Sequence, residues 1–226
     1  MVLTQLERLY KYSACDISDA LLKLGCTHGG FLADIVQRTK RTEKTIAPAS
    51  TVLFASKTAT AAPSVADKSV EQNIKAGTPY ADLTKTGTVV VLSQPAGQTC
   101  AVMGGIMAKR MEMLGAQGIL VDGRIRDLPV LDEVKLSVWS RSVSTVGAGA
   151  ESKPWACNVP VEIGKVLVEP GDIIFMDPNE LSVVSIPKSK VDAVLEILPG
   201  LTAADERVMV DIEKGVSVAD AFKAHR

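Results

Sequence analysis

The sequence predicts a single α/β domain with helical segments at both ends. Two short aliphatic runs, residues 88–92 (TVVVL) and 118–122 (GILVD), have the length and composition of buried strands. Between them Ile106, Met107, Arg110, Met111 and Leu114 recur at the three- and four-residue spacing of a helix. No repeat, low-complexity tract or linker divides the 226 residues, so 1–226 is read as one domain.

In chain order, residues 3–24 read as two short helices. Ser13 starts the second, because Ser13 and Asp16 have capping-box spacing and Ile17, Ala20, Leu21 and Leu24 share a face. Gly25 and the Gly29-Gly30 pair end it. Residues 51–55 (TVLFA) suit a buried strand, and the polar stretch 58–82 reads as a loop with one helix around 65–75. After the strand at 88–92, residues 93–97 (SQPAG) make a turn. Gly104 or Gly105 opens a helix that runs to about Leu114 and is closed by Gly115 and Gly118. The strand at 118–122 leads into a compact charged turn, residues 122–127 (DGRIRD). A helix over 128–134 follows, with Asp127 placed to cap it, and then an alternating strand over 136–146. Short β runs at 161–163, 166–168, 172–176 and 181–186 are separated by Pro-containing turns. Helices are expected over 188–198, 202–214 and 216–224.

Composition excludes several classes. The formal net charge of -1 provides no field to draw the chain to nucleic acid or anionic lipid. No apolar run approaches the roughly 20 residues that cross a bilayer. The opening MVLTQLERLYKY lacks a signal peptide's apolar core, so a cytoplasmic protein is expected. Cys15, Cys26, Cys100 and Cys157 form no CxxC pair, and His28 and His225 are the only histidines, a poor supply for structural zinc. A Ser-His-Asp triad has no GxSxG elbow to stand on, and His225, the penultimate residue, is expected to fray. Neither GxGxxG nor GxxxxGK[ST] occurs, which leaves nucleotide binding with little support.

Two places carry chemistry. Gly104 and Gly105 stand before a helix, so the free N–H groups around Gly104, Gly105, Ile106 and Met107 form an anion site that a ligand can approach closely. The alternative is a plain strand-to-helix turn. Arg126 offers a planar fork of donors for a carboxylate or enolate oxygen, and Asp127 offers hard oxygens for Mg²⁺ or Mn²⁺. Adjacent positions after a strand can aim both side chains above the sheet's carboxyl end. The alternative is a helix cap beside a surface arginine. Asp122 and Arg124 lie in the same turn and are read as supporting groups or a solvated ion pair.

Residues 104–108 (GGIMA) and 118–127 (GILVDGRIRD) resemble the signature of the RraA-like proteins, which include 4-hydroxy-4-methyl-2-oxoglutarate aldolases that also decarboxylate oxaloacetate. The segments 15–21 (CDISDAL), 170–174 (PGDII) and 182–187 (SVVSIP) are similar to further pieces of that family, so the resemblance spans roughly 13–215. It implies an α/β sandwich of swivelling β/β/α type, assembled as a homotrimer or homohexamer with active sites between subunits. It also implies a divalent metal, Mg²⁺ or Mn²⁺, held by Asp127 and waters. Arg126 would contact the keto oxygen of a small 2-oxo acid, and the backbone of Gly104, Gly105, Ile106 and Met107 would hold its carboxylate. Asp205 or Glu206 of a neighbouring subunit would hold metal-bound waters.

The implied reaction is carbon–carbon cleavage to pyruvate through an enolate, with Arg126 and Asp127 as catalytic residues. One departure stands out. Family aldolases carry an acid separated from the Arg-Asp pair by twenty intervening residues, and that position is Gly105 here, with residues 106–125 between. Decarboxylation needs no base, whereas retro-aldol cleavage must deprotonate an alcohol. Gly105 is therefore expected to favour oxaloacetate decarboxylation, and Gly105→Asp to raise aldolase activity. The rival reading is a non-catalytic regulator that binds an RNA-processing enzyme. Family members of that type lack the metal Asp, so Asp127 favours the enzyme.

Overall fold

A computed structural model describes residues 4–226 and begins with the two short helices expected over this stretch, the second opened by Ser13 as its capping-box spacing predicts. Thr4 and Ser13 each build a complete capping box, opening α1 (Gln5–Leu9) and α2 (Ala14–Lys23). Leu3, where the first helix was expected to begin, lies outside the described residues. Ser13 Oγ accepts from the Asp16 N–H at 3.1 Å and Asp16 Oδ2 accepts from the Ser13 N–H at 2.8 Å. Ser13→Ala is expected to cost about 1 kcal/mol, read as a lower midpoint in urea with an unchanged slope.

Along the chain follow β1 (Val36–Gln37), β2 (Thr45–Ser56), β3 (Ser64–Val65), β4 (Lys68–Ser69), β5 (Val89–Ser93), β6 (Ala101–Met103), α3 (Gly105–Met113), β7 (Gly118–Ile125) and α4 (Leu128–Glu133). Then come β8 (Ser137–Val143), β9 (Ser152–Cys157), β10 (Val161–Ile163), β11 (Val166–Val168), β12 (Ile173–Asp177), β13 (Ser182–Ile186), α5 (Val191–Glu213) and α6 (Val218–His225). One mixed sheet takes the order β1-β8-β7-β5-β2-β12-β13, with β6 also on β7 and β9 also on β2. Its centre, β2-β5-β7-β8, is parallel, and β12, β13, β9 and β1 add antiparallel strands.

The sheet is nearly closed. The Leu32 N–H donates to Val183 O at 3.0 Å and the Ser185 N–H to Gly30 O at 2.8 Å, which lays residues 30–32 along β13. A few residues later Val36 and Gln37 pair with Ser140 and Trp139 of β8. One short segment thus bridges both ends of the strand order.

Period-two alternation divides each central strand between two cores. In β2, Ala47, Ala49, Leu53 and Ala55 join Val91, Leu120, Trp139, Trp155 and Met176 in a cluster to which no helix contributes, the filled interior of the curled sheet. Val52 and Phe54 face outward to Ala108 and Met111 of α3 and Leu131 of α4. Ile46 joins Phe175 and Val184 under α1, α2 and α5. The α/β class expected from the sequence is observed, with helices on two flanks of a barrel-like sheet.

Four local expectations are corrected. Residues 65–75 hold no helix: Ala66 and Asp67, at φ 47° and 61°, turn the β3–β4 hairpin. The charged segment does not turn at Asp122, because β7 continues to Ile125. Two expected C-terminal helices are one, α5, which runs through Pro199; the proline removes a single N–H, and Thr202 Oγ1 lies 3.2 Å from Leu198 O across the same turn. His225 does not fray, since Nε2 lies 2.8 Å from Asp211 Oδ2. Among the described residues no helix is long and apolar enough to cross a membrane.

Candidate active site

The end of β7 sets the site. Gly118, Ile119, Leu120 and Val121 are buried, and beyond them the pairing with β8 shifts register between Val121 and Arg124. Such an irregularity re-aims the side chains that follow. Gly123 sits in it because a Cβ there would lie 2.3 Å from Gln94 Oε1. Gln94 Oε1 accepts the Arg124 N–H at 2.9 Å, and its Nε2 donates to Cys100 O at 2.8 Å, fastening the bulge to the neighbouring loop.

Arg126 and Asp127 leave the strand here. The Arg126 N–H donates to Met103 O at 3.0 Å, which ties the residue to the end of β6. Asp127 has φ 63° and ψ 40°, a left-handed conformation that aspartate tolerates better than most residues. It is the N-cap residue of α4, as the sequence predicts, yet its side chain makes no bond to that helix. Asp127 Oδ2 instead accepts the N–H of Gly105 at 3.0 Å, the first residue of α3. The carboxylate therefore sits on the positive end of the neighbouring helix.

This brings Gly104, Gly105, Arg126 and Asp127 together. Arg126 Nε lies 3.7 Å from Asp127 Oδ2, and the two side chains are 45% and 42% exposed, so the pair stands on an open face rather than in a cavity. A Cβ on Gly104 would fall 2.5 Å from Asp127 Oδ2 and 3.1 Å from Arg126 Cγ. A Cβ on Gly147 would fall 3.0 Å from Arg126 Nη1. Both glycines let charged groups rest against bare backbone. The N–H groups of Ile106 and Met107 find no acceptor among the described residues and remain open to an anion. Only their backbone is available for that: the Ile106 side chain is 81% exposed and the Met107 side chain packs on the α3–α4 core.

Gly147 and Val130 were not anticipated from the sequence. Val130 stands on the first turn of α4, where its N–H donates to Asp127 O at 2.9 Å. A Cβ on Gly105 would lie 2.6 Å from Val130 Cγ1 and 2.9 Å from Val130 Cβ. Aspartate at 105, the substitution expected to raise aldolase activity, would therefore have to displace Val130, which already fills that space. The three-residue step from Asp127 to Val130 along a helix was the available sequence signal.

Asp122 and Arg124 do not support the pair. Arg124 Nη1 donates to Ser142 Oγ and Val143 O, both at 3.0 Å, and Asp122 is bonded by Arg141 Nε. Burial raises the Asp122 carboxyl above its ordinary range, against the opposing pull of Arg141. These residues line a separate cleft of about 540 Å³ with Ser93, Gln94 and Ser142, and neither Arg126 nor Asp127 reaches it. In that cleft Asp122 is paired with Arg141 and Arg124 with Ser142, while Glu162 also lines it, exposed and without a side-chain hydrogen bond among the described residues.

No three His, Cys, Asp or Glu side chains gather as a metal cage among the described residues. Asp127 Oδ1 makes no hydrogen bond among them. One free carboxylate oxygen fits a hydrated Mg²⁺ or Mn²⁺ that keeps most of its waters and takes further oxygens from substrate, not a fully stripped ion. Asp205 accepts Arg226 Nε at 2.6 Å within its own chain, and Glu206 is exposed.

A family model described as RraA-like, Aldolase/RraA, matches residues 14–182. A provisionally named 4-hydroxy-4-methyl-2-oxoglutarate aldolase of Halalkalibacterium halodurans is 31% identical over 120 residues, covering 53% of this chain and 56% of the relative. The chain thus spans a little over half the length of the first such curated relatives. Among solved structures, an uncharacterized protein from Pseudomonas syringae superposes with a TM-score of 0.74 at 23% identity, covering 96% of both chains. Streptomyces coelicolor RraAS2, described as an unusual member of the RNase ES inhibitor RraA family, gives 0.70 at 24% identity, covering 93% of this chain and 95% of that one. At these identities the superpositions establish the fold alone.

Proposed function

Since the chain belongs to the RraA-like family, we propose that it is a divalent-metal-dependent carbon–carbon lyase that releases pyruvate from a small 2-oxo acid. The observation that carries this reading is Arg126 and Asp127 held side by side at the start of α3, next to two N–H groups without acceptors.

Asp127 Oδ1, with waters, would hold the Mg²⁺ or Mn²⁺, which when bound supplies Lewis-acid polarisation of the 2-oxo group. Gly105 fixes the carboxylate for this role by donating to its other oxygen. The N–H groups of Ile106 and Met107 bind the substrate carboxylate at the helix start. Arg126 directs its guanidinium at the 2-oxo oxygen, where negative charge develops as the carbon–carbon bond breaks. Loss of CO₂ from oxaloacetate leaves an enolate without prior removal of a proton. Retro-aldol cleavage of 4-hydroxy-4-methyl-2-oxoglutarate requires a base for the alcohol, and Gly105, whose Cβ position lies 3.6 Å from Asp127 Cβ, carries no carboxylate. Oxaloacetate decarboxylation is therefore the favoured activity.

The open setting of Arg126 and Asp127 supports a homotrimer or homohexamer in which a neighbouring subunit covers the site and excludes water. Glu206 is free to serve a neighbour's metal waters, whereas Asp205 must first release Arg226. A second reading, a regulator acting by protein–protein binding, is favoured by one observation, the glycine where an acid is expected.

The deciding experiment is pyruvate release from oxaloacetate, corrected for metal-catalysed background decay. EDTA is expected to abolish it and Mg²⁺ to restore it. Asp127→Asn keeps an acceptor for Gly105 but loses the charge, and is expected to reduce the rate about 100-fold or more at fixed Mg²⁺. No pyruvate release by wild type above the background decay sinks the lyase reading and leaves the regulator, whereas full activity without metal, or in Asp127→Asn, removes the metal role of Asp127.

A further inference from the structure

We infer that Val130 is a specificity-determining residue of this site: it fills the corner above Gly105 and keeps a second carboxylate, or a water in that place, away from Asp127. The inference rests on the lyase reading and deepens it, by naming the group that selects between decarboxylation and aldol cleavage.

Three observations carry it. The space beside Gly105 is occupied, because a Cβ there meets Val130 Cγ1 at 2.6 Å and Val130 Cβ at 2.9 Å. Rotating χ1 moves Cγ1 but leaves Cβ in place, and a β-branched side chain on a helix has one strongly preferred rotamer. Val130 is also fixed relative to Asp127, since its N–H bonds to Asp127 O at 2.9 Å and Leu131 N–H bonds to the same oxygen at 3.0 Å. Finally, Val130 is not simply core. The residue is 46% exposed, and Ile106 at the start of α3 is 81% exposed.

The consequence is a coupled pair. Position 105 lies 3.6 Å from Asp127 Cβ, measured from the Cβ it lacks, so an acid there would have its carboxyl near the metal-binding oxygen. Glycine at 105 removes the base, and valine at 130 removes the room for one. An alcohol proton at this corner meets an isopropyl group, which accepts nothing. Substrates that lose CO₂ pass, and substrates whose hydroxyl needs deprotonation do not.

The test compares wild type, Val130→Ala, Gly105→Asp and the double variant in thermal melts and in kcat/KM for oxaloacetate and for 4-hydroxy-4-methyl-2-oxoglutarate. Gly105→Asp alone is expected to lower Tm by roughly 5 °C, or to fail to fold, and Val130→Ala in that background to recover most of the loss. The double variant is expected to raise the aldolase-to-decarboxylase ratio about tenfold or more over wild type. A merely structural role for Val130 would move Tm without moving that ratio. A Gly105→Asp protein as stable as wild type overturns the inference, and so does a double variant with the wild-type ratio. If wild type releases pyruvate from neither substrate, the lyase reading falls and the specificity role falls with it, an outcome distinct from an active enzyme whose ratio does not change.

Discussion

Arg126→Ala is expected to lower kcat/KM for pyruvate release by about 10²–10³-fold, the usual cost of removing one donor from a developing oxyanion. The side chain is half exposed and its guanidinium lies against Gly147, so truncation opens no core cavity. Its backbone bond to Met103 O is untouched by the change. Tm should therefore remain within about 2 °C of wild type, which separates lost chemistry from lost fold. Arg126→Lys is expected to recover only part of the rate, because an ammonium keeps the charge but not the planar fork. Wild-type kcat/KM in Arg126→Ala would remove Arg126 from the reaction. Steady-state pyruvate release at several oxaloacetate concentrations decides between these results.

Gly30→Ala is expected to be the most damaging small substitution for stability, costing about 3–5 kcal/mol, or roughly 10 °C in Tm. Gly30 has φ +68°, a conformation that L residues adopt at a cost, and a Cβ there would lie 2.3 Å from Ser185 O and 2.8 Å from Leu21 Cδ1. The first contact is with backbone and cannot be relieved by a rotamer. Ser185 is also the residue whose N–H bonds Gly30 O, so relief breaks the pairing that closes the sheet onto β13. Gly25→Ala is the control. Its φ is +78°, but nothing lies within 4 Å of the added Cβ, so only the backbone term of about 1–2 kcal/mol applies. Equal melting temperatures for the two variants would show that the closure contact contributes little.

The sequence is legible where a local rule decides the outcome. The capping box at Ser13 fixes one helix start, and the aliphatic runs of β5 and β7 are buried on both faces, so they read as strands without alternation. It is illegible where tertiary pairing decides. β6 has three residues and β9 carries Pro154 and Lys153, and each is a strand because a longer neighbour offers it a ladder. The Pro199-Gly200 step looks like a break, but the helix on either side is already packed through Val194, Leu198 and Ala204, and it runs through. At the site, the Arg126-Asp127 pair and the glycines before α3 are visible as a motif. The bond from Asp127 to Gly105, the approach of Gly147 to Arg126 and the block by Val130 join residues distant in sequence, and they appear only once β6, β7 and α4 converge.

Asp127 belongs to the beginnings of two helices at once. Its carbonyl accepts the first bonds of α4, from Val130 and Leu131, while its carboxylate accepts the first N–H of α3. Fraying at either helix start thus disturbs the other. The two first turns are expected to open together, and the rate at which the Gly105 amide trades its proton for deuterium would report how firmly the corner is held. A cation on the free oxygen of that carboxylate would be felt along both helices, which makes a backbone amide, rather than the reactive groups themselves, the natural place to watch the site fill.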